Sequence, residues 1–81
     1  MRTIDVKIDQ IYVPAKKRAT LDDSKLEPLA EDILENGLQF PIYIREGKGR
    51  FVLQEGLHRM EAMKLLGEDK ITANIVQARK Y

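Results

Sequence analysis

The 81-residue sequence has no cysteine, no tryptophan, a single histidine and three prolines. Without thiols, these residues cannot form a disulfide scaffold, a thiolate zinc site or a cysteine nucleophile. One histidine leaves carboxylates as the main source of further metal ligands, and neither a metal-ligand cluster nor a Ser-His-Asp arrangement can be read. No apolar run approaches the ~20 residues that cross a bilayer, and no signal peptide is read at the start. A cytoplasmic protein without membrane contact is therefore expected. Neither charge sign is in excess: 14 Lys and Arg against 13 Asp and Glu give a net charge of +1. A dedicated DNA-binding module carries a stronger basic surplus. The local clusters Lys16-Lys17-Arg18 and Arg45, Lys48, Arg50 read first as solvated loop and hairpin charge.

What is present is an ordinary globular composition, 43% hydrophobic and 33% charged, which is not that of a disordered chain. The length fits one domain spanning residues 1–81, with a modest core. In Thr3 to Val13 the residues Ile4, Val6 and Ile8 alternate with polar ones, as in a half-buried strand, and Ile11 and Val13 continue the run after a break at Asp9-Gln10. Pro14 ends it, and Ala15 to Leu21 reads as an exposed basic loop. A first helix is predicted over Lys25 to Asn36, with Ser24 and Glu27 as a capping box, Leu26, Leu29, Ala30 and Ile33 on one face, and Leu34 at its edge. Gly37 suits a left-handed stop, with Leu38 folding back on Ile33. Strands at Ile42 to Arg45 and Arg50 to Gln54 flank a hairpin, Glu46-Gly47-Lys48-Gly49, whose two glycines are expected at positive φ. A second helix over Leu57 to Leu66 carries Met60, Met63 and Leu66 on one stripe beside Ala62 and Leu65, and Gly67 stops it. Ile71 to Gln77 is a last strand, with Ile71, Ala73 and Ile75 on one face. The fold class is α/β (α+β), a mixed sheet with two main helices.

Chemistry concentrates where the strand Phe51 to Gln54 runs into Glu55-Gly56-Leu57-His58-Arg59. A helix start leaves backbone amides without partners and carries about half a positive charge from the dipole, which makes it a ready anion site. Gly56 permits a sharp turn and close approach of a ligand. His58 and Arg59 are unfavourable company for that dipole unless an anion joins them, and a guanidinium can grip phosphate through two N–H bonds. The competing reading is a plain tight-turn glycine, a surface histidine, and Arg59 paired with Glu55 or Glu61. Glu55 and His58 are the candidate catalytic groups, the imidazole acting as an acid or as a neutral hydrogen-bond donor. Asp22 and Asp23 read mainly as cap or surface carboxylates.

From Ile11 to Val76 the chain resembles the ParB/sulfiredoxin superfamily. The matching stretches are Leu26 to Ile33 (LEPLAEDI), Gly37 to Arg45 (GLQFPIYIR), Phe51 to Gly67 (FVLQEGLHRMEAMKLLG) and Ile71 to Val76 (ITANIV). The resemblance implies a nucleotide-phosphate site at the turn Gly56, Leu57, His58 and Arg59; no metal-ligating residue is read there, since a leucine cannot ligate a metal. In ParB proteins the turn reads G-E-R-R and the nucleotide is CTP with magnesium; in sulfiredoxins it reads G-C-H-R and the nucleotide is ATP. Leu57 supplies neither the carboxylate nor the thiol of those relatives, so a phosphate grip is expected to outlast their chemistry. By the same resemblance Arg18, with Lys17 as the register alternative, joins the phosphate contacts. The loop Gly37 to Pro41 lines the pocket, with Gln39 facing a base or ribose.

The resemblance therefore implies a nucleoside triphosphate with Mg²⁺ as cofactor, and a CTP- or ATP-dependent switch or weak NTPase linked to DNA partition or plasmid and phage biology. Three alternatives stay open: a ParB-like nuclease that tracks DNA non-specifically through its basic clusters, a small-molecule kinase like the free-serine kinases that carry G-x-H-R turns, and a non-catalytic interaction module. A homodimer is a further expectation. Sequence-specific DNA binding is not expected of these 81 residues.

Overall fold

The computed structural model describes residues 2 to 77. Alternation in the first segment gives β1 (Arg2–Lys7), but the run does not continue as one strand. A 3-10 turn at Ile8–Gln10 breaks it, and β2 (Ile11–Tyr12) follows. The expected loop after Pro14 is instead a single helical turn, α1 (Ala15–Arg18). The Pro14 carbonyl accepts from the amides of Lys17 and Arg18, both at 3.0 Å. Proline pre-sets the entry to a helix and lacks only an N–H that a first turn leaves unused, a signal the basic composition obscured.

The first long helix, α2, is Leu26–Asn36. Its predicted capping box is not formed. A 3-10 turn at Asp23–Lys25 precedes α2, and Asp22 rather than Ser24 is the acceptor, taking the Ser24 amide at 3.1 Å and the Ser24 hydroxyl at 2.6 Å. Lys25, at the cap position of α2, contributes no side-chain bond. The far end is as expected: Gly37 sits at φ +78° and its N–H bonds the Ile33 carbonyl at 2.7 Å. Leu38 packs beside Ile33.

β3 (Ile42–Glu46) and β4 (Phe51–Glu55) form the hairpin. Only one of its glycines is left-handed, Gly49 at φ +68°. Gly47 is small for another reason: an added Cβ would lie 3.1 Å from Val52 Cγ2. The second long helix, α3, is Leu57–Leu65, and β5 is Lys70–Ile75.

The five strands form one mixed sheet in the order β1-β5-β3-β4-β2. β5 pairs antiparallel with β1, Arg2 opposite Ile75, and parallel with β3, Ile42 opposite Ala73. β2 lies parallel to β4 on the far edge. The first two strands are therefore opposite edges of the sheet. In a flat sheet four strand spacings would separate them by ~19 Å, while the four residues from Lys7 to Ile11 reach at most ~14 Å. The sheet must curl until its corners approach. The Ile8 amide bonding the Asp69 carbonyl at 2.9 Å ties down that crossing.

The core fills the concave side. Val6, Ile8, Ile11, Ile42, Ile44, Leu53 and Ile71 meet Leu57 and Met60 of α3. A smaller cluster of Ala30, Ile33 and Ala62, with Leu29, Leu38, Met63 and Leu66, joins α2 to α3. Leu34 and Leu65, placed beside the apolar stripes by spacing, are exposed. Among the described residues no helix is long and apolar enough to cross a membrane.

Candidate functional site

The turn from β4 into α3 is built around Gly56, whose φ of +109° a side chain would adopt only under strain. A Cβ there would also stand 2.5 Å from Ile42 Cγ2 and 3.2 Å from the Ile42 Cα. The glycine thus allows the start of β3 to press directly on the start of α3. No side chain caps α3 and no acidic residue occupies its first turn. Its first ladder bond runs from the Met60 amide to the Gly56 carbonyl at 2.9 Å. The amides of Leu57, His58 and Arg59 precede that ladder and so have no partner within the helix.

The side chains of the turn diverge. Leu57 is buried among the core residues, so its contribution at the surface is its N–H. That inward direction was readable from the three-residue step to Met60. Half-buried His58 accepts a hydrogen bond: the Asp22 amide donates to Nε2 at 3.0 Å. An accepting Nε2 carries no proton, so the neutral ring has its hydrogen on Nδ1. Nε2 is thus an acceptor that straps the approach to α2 onto α3, and Nδ1 keeps the ring's donor N–H.

Arg59 makes neither of the carboxylate pairs considered above. Its Nη1 donates to the carbonyls of Phe40 and Pro41, both at 2.9 Å. Glu61 pairs instead with Lys64 at 3.2 Å. Nη1 supplies both bonds of Arg59, so Nη2 and Nε remain for a ligand among the contacts of the described residues. The two potentially cationic side chains therefore brace two loops against one helix end.

The remaining candidates are less closely gathered. Asp22 is the cap its position suggested; its hydrogen bonds from Ser24, with smaller help from Lys25 and His58, hold the carboxyl below its usual pKa. Glu55 ends β4, exposed, opposite Tyr43. Gln39 is exposed on the Gly37-to-Pro41 loop, and it is the carbonyls of its neighbours that Arg59 holds. Arg18 lines a cavity of about 340 Å³ with Met60, Glu61 and Lys64, further along α3 than the turn. A larger concavity of about 560 Å³ lies at the opposite end of β3, by Arg2, Glu46 and Gln77. It is remote from the turn. Among the described residues no three His, Asp or Glu side chains converge as metal ligands.

This arrangement has known counterparts. The ParB N-terminal domain profile matches residues 1–80. The chain belongs to the ParB N-terminal domain family. It is 38% identical over 71 residues, 86% of its length, to a probable chromosome-partitioning protein ParB from Campylobacter jejuni. It spans only 26% of that protein. The sulfiredoxin crystal structure from Arabidopsis thaliana superposes with a TM-score of 0.84 at 28% identity, over 96% of this chain and 88% of the other. A truncated ParB from Caulobacter crescentus, crystallised with CTP-gamma-S, gives 0.82 at 21% identity, over 99% of this chain and 47% of the other. The ParB/sulfiredoxin resemblance and the mixed-sheet fold are thus confirmed.

Proposed function

We propose that this ParB N-terminal domain binds a nucleoside triphosphate at the Gly56-to-Arg59 turn and serves as a nucleotide-dependent switch or weak NTPase in DNA partition. The observation that carries this reading is the uncapped start of α3, where three amides unpaired among the described residues meet an arginine and a histidine and the first turn holds no acid. The phosphates would sit on the amides of Leu57, His58 and Arg59, with the outer guanidinium nitrogens of Arg59 as charge-assisted donors. A ParB of the same fold crystallised with CTP-gamma-S supports the ligand class. Arg18, which lines the cavity further along α3, would join the phosphate contacts, and Gln39 would face the base or ribose.

The residues of the turn fit a phosphate chain but not a protein-held metal. Leu57 has no ligating atom, and no three ligands converge among the described residues. Magnesium would be carried by the phosphates themselves, and no step is assigned to it. Glu55 and His58 would be the groups to handle a proton beside the turn. Nucleotide is the primary partner on this reading; non-specific DNA contact, a homodimer and a cytoplasmic location belong to the same proposal.

Calorimetric titration with CTP, ATP and ADP in magnesium tests it. Saturable heat with at least one nucleotide, lost in Arg59→Ala, is the expected result; no heat with any of the three ends the reading. Incubation with supercoiled plasmid and magnesium separates it from the nuclease alternative, which predicts nicked or linear product.

A further inference from the structure

We propose that the groove between the C-terminal ends of α2 and α3 docks a basic amphipathic helix of another protein. The groove lies at the other end of α3 from the Gly56-to-Arg59 turn, ~13 Å along the helix axis, and its use requires no nucleotide.

Ile33, Leu34 and Leu38 line a cavity of about 310 Å³ from the α2 side, and Met63, Leu66 and Glu68 line it from the α3 side. Ile33, Leu38, Met63 and Leu66 belong to the cluster that joins the two helices. Leu34 does not, and it is 73% exposed. A single exposed leucine is ordinary. This one extends a cleft already lined by four apolar side chains, and a continuous apolar surface with a polar rim marks an interaction site.

The rim sets the charge of the partner. α2 carries Glu27, Glu31, Asp32 and Glu35 and no basic residue. Helical spacing puts Glu27 and Glu31 on the face of Leu34, and Glu68 adds a carboxylate from the α3 side. All three are exposed. Among the described residues none of them is in an ion pair, whereas Lys64, the base in the last turn of α3, is engaged by Glu61. Both long helices also end beside the cleft, and a helix C-terminus carries about half a negative charge. The basic clusters lie elsewhere, at Lys16 to Arg18 and along the β3–β4 hairpin. An apolar cleft with acidic edges is complementary to a helix whose apolar residues recur at i, i+3 and i+7 with Lys or Arg beside them. A second copy of this chain offers no such helix: α2 is acidic, α3 buries its apolar face in the core, and the basic α1 is a single turn.

Two labelled peptides of about 18 residues, long enough to be helical, provide the test. One is made of Leu and Lys with leucines at i, i+3, i+4 and i+7; the other has Glu in place of every Lys. Each is titrated by fluorescence anisotropy with the 81-residue chain, and the bound surface is mapped by amide shifts. Saturable binding of the Lys peptide is expected, with shifts centred on Leu34, Leu38, Met63 and Leu66 and little binding of the Glu peptide. Leu34→Lys is expected to weaken the Lys peptide by about tenfold or more, and Glu31→Lys by about threefold. Leu65→Lys makes the same change of charge at a leucine that is 60% exposed and does not line the cavity; affinity should stay within about twofold. Circular dichroism confirms that each variant is folded. Equal binding of the two peptides, binding of neither, shifts confined to other surfaces, or equal losses in Leu34→Lys and Leu65→Lys overturn the proposal.

Discussion

The two long helices begin in opposite electrostatic company. The approach to α2 runs through Asp22, which caps the preceding turn, and Glu27 lies in its first turn. The approach to α3 runs from Glu55 through Gly56, with no capping side chain and no acid in the first turn, which holds His58 and Arg59 instead. A helix start is the positive end of the dipole. The chain caps the approach to α2 with a carboxylate and puts another in its first turn, and does neither at α3. What the difference teaches is where to look for an external anion. It also shows a division of labour, because the α3 cations are not idle: His58 holds the α2 approach by the Asp22 amide, and Arg59 holds the entry to β3.

The comparison breaks most severely at Gly56. Gly56→Ala forces a Cβ into the left-handed region and against Ile42. A loss of about 3 kcal/mol is expected, read as a lowered urea midpoint. Arg59→Ala comes next. Removing a charged donor from two carbonyls is expected to destabilise by about 2 kcal/mol, and amide exchange should quicken around Phe40 and Pro41 but not around Asp22. If exchange quickens equally at both, the two braces are not separate.

His58 gives a smaller effect. Nitrogen NMR at mildly basic pH should show a neutral ring protonated on Nδ1. An Nε2–H tautomer at high pH would contradict the strap. The smallest effect is at Asp22. Its carboxyl sits below its usual pKa in the folded chain because Ser24 hydrogen-bonds it. The stability it adds is therefore present above the ordinary carboxylate range and disappears as pH drops through the folded value. Asp22→Ala should flatten that acid limb of the melting curve, whereas α3 should be indifferent to it.

Much of this was legible in the chain. Alternation at Ile4 and Val6, helical spacing at Leu29, Ala30 and Ile33, and glycines at 37 and 67 placed the long elements within a residue or two. The turn at Gly56 stood out because glycine followed by two potential cations at a helix start is electrostatically odd. What was not legible depends on partners distant in sequence. Periodicity showed apolar faces in the first thirteen residues but could not show that they split between opposite sheet edges, since order is set by pairing with residues 51–52 and 70–75. The capping box failed because Asp22, two residues earlier, is the stronger competitor for the same amide. Arg59 was weighed against neighbouring carboxylates, but its acceptors lie 18 and 19 residues back.

The place of β5 in the sheet bears on how the chain is made. It is the last of the five strands in sequence, yet it lies between β1 and β3 and is the strand with which β1 pairs. During synthesis β1 emerges first and must wait, its ladder groups unsatisfied, until residues 70–75 have left the ribosome. Such distant pairing slows folding. Nascent chains halted before Lys70 should be readily digested by protease, and chains extended well past Ile75 should resist.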